Sequence, residues 1–235
     1  MRKYFVLLLC AALVFIFACK KKAGPAAPSG KTLHTAVFQY QLPPDGTYFG
    51  VHDTSIKKVE NLQDFGNCDT LNIGVSVGIN VTDVARAIIK FDVSSLPVDA
   101  DVVGVTLNVL LSGMTDTTTI DAYAVSTAWD EGPDCGGIDA VGNTASWNGP
   151  WASAGGDFGN SINAASVVID YNINIFWQGF DIDPAVVKQW SIDPGSNNGI
   201  ILKAQDELTG GSASFHSKET ASAADGPKLT VYYLY

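Results

Sequence analysis

Asp130, Glu131, Asp134 and Asp139 fall within ten residues of one Gly-rich stretch. Hard cations such as calcium take carboxylate and carbonyl oxygens as ligands, so these four acids are candidate ligands of a structural calcium ion. Their spacing is not that of an EF-hand loop, and a solvated acidic loop is the alternative. Just downstream, Trp147 and Trp151 flank Gly149 and Pro150, with Phe158 close behind. Aromatic rings held at a surface stack on the apolar faces of sugars while acids and amides bond the hydroxyls, which makes these three residues candidate carbohydrate contacts. Trp151 is the better surface candidate, because TASWNGP around Trp147 reads as a strand end capping a core.

Other chemistry finds little support. Gly74-Val75-Ser76-Val77-Gly78 matches the spacing of a hydrolase nucleophile elbow, but that elbow needs a helix directly after the serine, and GINVTDVARAIIKF runs on toward another strand. His34, His52 and His216 are far apart and stand in no compact ligand spacing, so a zinc site is not expected. No Gly-rich phosphate loop lies between a strand and a helix. Twenty-four acids against 14 bases give a net charge of −10, which repels phosphate and argues against a nucleic-acid partner. Chance pairs of carboxylates are inevitable in so acidic a chain, so a glycosidase-like pair carries no weight by itself.

These side chains need elements to hold them. Short alternating runs recur: TAVFQYQL, TLNIGVSV, RAIIKFDV, VVGVTLNVLL, TIDAYAVS, SVVIDYNI, GIILKAQ, ASFHSKE and PKLTVYYLY. They are rich in β-branched and aromatic residues and are separated by turn formers, the pattern of a sandwich or barrel. One segment competes as a helix: in DIDPAVVKQWSIDPG, Asp183 can cap, Pro184 suits the first turn, and Val186, Val187 and Trp190 share a face before Pro194. Residues 130–164 form the least regular stretch, and loops of that length are usually functional or poorly ordered.

The N-terminus reads as an export signal. Arg2 and Lys3 precede an apolar run from Tyr4 to Ala18, shorter than a spanning helix needs, and the run ends at Cys19. Ile16-Phe17-Ala18-Cys19 resembles the bacterial lipobox, in which the cysteine is diacylated and becomes the mature N-terminus. Two acyl chains give a stable membrane anchor. Residues 1–18 are then the signal peptide, residues 19–34 a lipidated flexible linker with Lys20, Lys21 and Lys22, and residues 35–235 one β-domain. Removing residues 1–18 takes away Arg2 and Lys3 and no acid, so the formal charge moves from −10 to −12. Cys68 and Cys135 remain in an oxidising compartment, as a disulfide or as two buried thiols.

RAIIKFDVSSLP, from Arg86 to Pro97, resembles the signature of the DNRLRE-domain family, a group of exported β-sandwich modules that includes carbohydrate-binding module family 96. Asp53-Thr54, DFGNCDTLNIGV, STAWDEG, TASWNGP, FDIDPAVVKQW, SNNGIILKA and SFHSKETASAADGPKLTVYY are similar, in order, to further segments of that family over roughly residues 45–234. The resemblance implies a jelly-roll-like antiparallel β-sandwich with one short helix. Residues 132–146 are longer than the family's spacing and Phe65 stands where a tyrosine is usual; a bond from the inserted Cys135 to Cys68 would staple that loop near residue 70. Arg86, beside so many acids, is expected to form a buried or edge ion pair that fixes register, with Asp92 or Glu219 as partner.

The function expected from these readings is a non-catalytic lipoprotein, anchored at the cell surface or outer membrane, that binds polysaccharide or another envelope polymer across a shallow face or the long loop. A structural or adhesion module without a sugar site is the alternative, and a polysaccharide lyase or hydrolase comes third. No cofactor is expected beyond the candidate calcium.

Overall fold

Alternation over Thr70–Val77 buries Leu71, Ile73 and Val75 and leaves the strand flanked by turns. The same pattern repeated along the chain gives an all-β sandwich with a single short α-helix. The structure is a computed structural model and describes residues 30–42, 46–78, 81–171 and 177–235. The signal peptide, Cys19 and the lysines at 20–22 therefore lie outside the described residues.

The strands are β1 (Leu33–Gln39), β2 (Val51–Lys57), β3 (Thr70–Val77), β4 (Thr82–Phe91), β5 (Asp101–Met114), β6 (Thr118–Val125), β7 (Phe158–Ser161), β8 (Val167–Ile169), β9 (Trp177–Ile182), β10 (Ile200–Ala204), β11 (Ser212–His216) and β12 (Lys228–Leu234). The helix, α1, covers Pro184–Ile192 between β9 and β10. Hydrogen bonding links the strands in the order β1-β12-β5-β11-β3-β4-β10-β6-β7, with β2 on β4, β8 on β6 and β9 on β5. These strand pairs are antiparallel. β5 is long enough to serve both layers: residues 101–110 pair with β12 and β9, and residues 111–114 with β11.

The main core lies between the layers. Leu229 and Val231 of β12, Val105, Leu107 and Val109 of β5, and Phe180 and Ile182 of β9 meet Ala87, Ile89 and Phe91 of β4 and Ile200 and Leu202 of β10. Each such side chain contributes about 1.5–3 kcal/mol when fully buried. α1 closes one end of this core with Val187 and Trp190, and the Asp183 carboxylate caps it by accepting the Ala185 N–H at 2.9 Å.

A second apolar cluster lies on the other face of β4. Ile56, Val84, Ile88 and Ile201 are covered there by Trp129, Ala145, Trp147 and Trp151. Burial on both faces explains why β4 reads as an apolar run rather than a clean alternation. It also corrects the expectation for residues 130–164, which act as a fitted cover over the sheet. Three strands were not anticipated from sequence: β2, β7 and β9. Among the described residues of SVVIDYNI, Val167–Ile169 is strand, and residues 172–176 lie outside the described residues.

Candidate functional site

The tryptophans of the long loop are not surface aromatics. Trp147 and Trp151 are only 8% and 7% exposed, and the Trp151 Nε1–H donates to the Ser146 carbonyl at 2.7 Å. Phe158 is half-buried against the same cluster. The sheet beneath presents Ile56, Ile88 and Ile201 outward, and these rings remove that apolar surface from water. All three candidate carbohydrate contacts are therefore packing residues.

Arg86 clamps the cover down. Its Nε and Nη2 donate to Glu207 Oε1 and Oε2, both at 2.7 Å, and Nη1 donates to the Gly155 carbonyl at 2.5 Å. The guanidinium carbon lies 4.8 Å from the Trp147 ring centroid and 5.4 Å from that of Phe158. Gly155 has φ +93°, and a Cβ there would come within 2.6 Å of Arg86 Nη1, so glycine permits the approach. The expected ion pair exists, but its partner is Glu207 in the turn after β10. Asp92 instead accepts the Ser94 N–H at 2.9 Å, and Glu219 pairs with Lys218.

Cys68 and Cys135 form a disulfide. Around it, Asp64 accepts the N–H groups of Gly66 at 2.8 Å and Asp134 at 3.0 Å, while the Asp134 carbonyl accepts the Asn67 N–H at 2.8 Å. A Cβ on Gly132 would lie 1.9 Å from the Asp64 carboxyl group, so only glycine lets these two segments meet. Among the described residues, the carboxylates of Asp130, Glu131, Asp134 and Asp139 do not gather into one ligand group. Asp130 and Asp139 point into solvent, and Asp134 supplies backbone groups to the Asp64 turn. Among the described residues, only Glu131 of the four joins carboxylates close enough to share a cation, and its companions are Asp53 and Glu219.

The outward face of β12, β5 and β9 is left open by the fold. Register places Tyr232 opposite Gly104, Thr230 opposite Thr106 and Asp181, Lys228 opposite Asn108 and Gly179, and Leu110 opposite Trp177. Tyr232 is 41% exposed, and its ring lies against Gly104, where a Cβ would come to 3.4 Å from it. Lys228 Nζ lies 4.6 Å from the Trp177 ring centroid, and the Thr106 hydroxyl donates to Asp181 Oδ1 at 3.2 Å. At one end the face deepens into a cleft of about 580 Å³ lined by Thr106, Ser161, Asn163, Asp181, Pro184 and Tyr232. From Gly104 to Leu110 along β5 is about 20 Å, so the two rings bracket an extended polar strip of hydroxyl, amide, carboxylate and ammonium groups. Sequence reasoning passed over these residues. The signal was the polar half of the alternation in TLNVLL and LTVYYL, which marks a sheet face turned to solvent.

Among the described residues, no helix is long and apolar enough to cross a membrane. No family model and no curated protein matches the chain. Among solved structures, one described as "KBV activated particle at acidic pH" aligns over the whole chain and 83% of its own length, at 12% identity and a TM-score of 0.18, a likeness too slight to carry argument.

Proposed function

We propose that this chain is a non-catalytic polymer-binding module, held at the cell surface by an N-terminal lipid on Cys19, whose open β12-β5-β9 face takes an extended polysaccharide. The single observation behind this reading is the pairing of Tyr232 and Trp177 at opposite ends of a polar, uncovered strip with a cleft at the Tyr232 end. Rings there would stack on sugar faces while Thr106, Thr230, Asn108 and Asp181 bond hydroxyls and Lys228 meets an acidic group. The order of segments resembling the DNRLRE-domain family supports the same reading.

Affinity electrophoresis of the full chain, solubilised in detergent, through gels cast with neutral and acidic polysaccharides tests it. At least one polymer should retard the protein. Tyr232→Ala and Trp177→Ala should each weaken that retention about two- to tenfold. Replacing the exposed Tyr232 should leave thermal stability unchanged, and the variant of the half-buried Trp177 is compared at temperatures where it is folded. Unchanged retention in both variants would move the binding surface elsewhere. Free migration through every polymer would favour a structural or adhesion module of the envelope.

A further inference from the structure

Three carboxylates from distant parts of the chain meet around Lys218. Asp53 lies on β2, Glu131 in the loop after β6, and Lys218 and Glu219 just after β11. The backbone fixes their meeting: the Asp53 N–H donates to Glu131 Oε1 at 2.7 Å, and the Lys218 N–H donates to Asp53 Oδ2 at 2.9 Å. Ser217 anchors the same turn by donating its hydroxyl to the Cys68 carbonyl at 2.6 Å. Lys218 Nζ pairs with Glu131 Oε2 at 3.1 Å and with Glu219 Oε1.

That ammonium group leaves two oxygens unserved. Asp53 is 1% exposed, and its Oδ1 and the buried Oε2 of Glu219 have no hydrogen-bond partner among the described residues. A buried polar atom without a partner costs about 1–3 kcal/mol, more when charged, and native proteins keep few of them. Three carboxylates face this one ammonium group, and His52, 3.4 Å from Glu131 Oε2, sits on the exposed flank. This is an environment short of positive charge.

We propose that Asp53, Glu131 and Glu219 form a binding site for a calcium-class divalent cation, with the Lys218 ammonium as an internal counter-ion that the cation displaces. One ligand oxygen from each residue lies within 4.8 Å of the others. Opposite oxygens stand about 5 Å apart across calcium and about 4 Å apart across magnesium, so the spread suits the larger ion. A cleft of about 400 Å³, lined by Tyr40, Gln41, Asn67 and Thr220, reaches Lys218 and Glu219 from solvent and gives the ion a path. The Tyr40 ring centroid lies 5.4 Å from Nζ and offers the displaced ammonium a cation–π resting place on the cleft wall.

Calorimetric titration and thermal unfolding of the full chain, after treatment with a chelator, test the site with calcium and magnesium chloride. Calcium should bind saturably and raise the melting temperature, with magnesium about tenfold weaker. Asp53→Asn and Glu219→Gln should each weaken calcium binding about tenfold or more, and Lys218→Met should tighten it by removing the competing charge. Near-UV circular dichroism checks folding, and Glu131→Gln replaces any variant that fails to fold. The proposal falls if millimolar calcium gives neither heat nor a melting shift, if calcium binds only Lys218→Met, or if Asp53→Asn and Glu131→Gln respond to calcium like the parent.

Discussion

Both outward sheet surfaces of this sandwich carry aromatic rings, but over sheets of opposite character. Over β4 and β10 the outward side chains are Ile88 and Ile201, and three tryptophans, an arginine and a half-buried phenylalanine close over them. Over β12, β5 and β9 the outward side chains are Thr230, Thr106, Asn108 and Asp181, with Tyr232 and Trp177 standing among them. An apolar sheet face must be covered, because exposed apolar surface costs about 25 cal/mol per Å². A polar one can stay wet. An aromatic ring over an apolar sheet is a lid, whereas one over a polar sheet is free of that packing duty.

The largest expected effect comes from unlocking the lid. Arg86 and Glu207 are a nearly buried bidentate pair, with side chains 11% and 17% exposed, and removing one partner of such a pair costs about 3–5 kcal/mol. Arg86→Ala should therefore lower stability by about 3 kcal/mol or more in denaturant unfolding, since Lys203 at 3.5 Å is the remaining cation on Glu207. Retention by polysaccharide should hold at temperatures where the variant is folded. A loss below about 1 kcal/mol would mean that the tryptophans alone seat the cover, and the contrast between a clamped and an open face would weaken.

Next is the staple. The Cys68–Cys135 bond joins residues 67 apart in sequence, and chain-entropy reasoning assigns a loop of that size about 4 kcal/mol, with 2–4 typical of measured bonds. The double variant Cys68→Ser/Cys135→Ser should melt earlier by that equivalent, and the parent in reductant should match it. Asp64 bonds backbone groups of Asp134, Gly136 and Ile138 across the same two segments, so the loss should fall at the lower end of the range. A loss of all folded structure would show instead that the hydrogen-bonded stitching depends on the bond.

Much of the scaffold was legible in sequence and little of the site. TLNIGVSV became β3 residue for residue, and DIDPAVVKQWSID became α1 with Asp183 as its cap, because local alternation and capping chemistry decide such elements. β2 was missed because VHDTSIK buries Asp53, Thr54 and Ser55, and a strand whose hidden side chains are polar shows no apolar period. Trp147 caps a core as TASWNGP suggested, whereas the misplacement of Trp151 at the surface has a different cause. Gly149, Pro150 and Asn148 around them are turn formers, which report the local backbone and say nothing about whether a distant apolar sheet lies beneath. Arg86 found Glu207, 121 residues away, among 24 acids, and no local signal could have picked it. The Asp53, Glu131 and Glu219 cluster was hidden for the same reason, although each residue stood in a segment that the family resemblance had already marked.

The smallest effect concerns pH, and it separates the cover from the sheet by sign. Asp157 accepts the Ala152 N–H at 2.7 Å, the Ser153 N–H at 3.0 Å and the Thr127 hydroxyl at 2.8 Å, tying the end of the cover to the strand that precedes it. These bonds, the Ala152 N–H foremost, hold its carboxyl below the usual carboxylate range. A group depressed in this way binds fewer protons folded than unfolded, so its stabilisation is fully present above the ordinary carboxylate pKa and fades as pH falls through that value and the lower folded one. Asp157→Asn should therefore be less stable than the parent at neutral pH, and the gap should close between about pH 5 and pH 2. Because Asp157 is open to solvent, the gap will be small and best read as a difference in melting temperature between the two proteins at each pH. A gap that stays constant across the acid range would mean that the carboxylate charge plays no part in holding residues 151–157, leaving Arg86 and the tryptophans as the fastening of the cover.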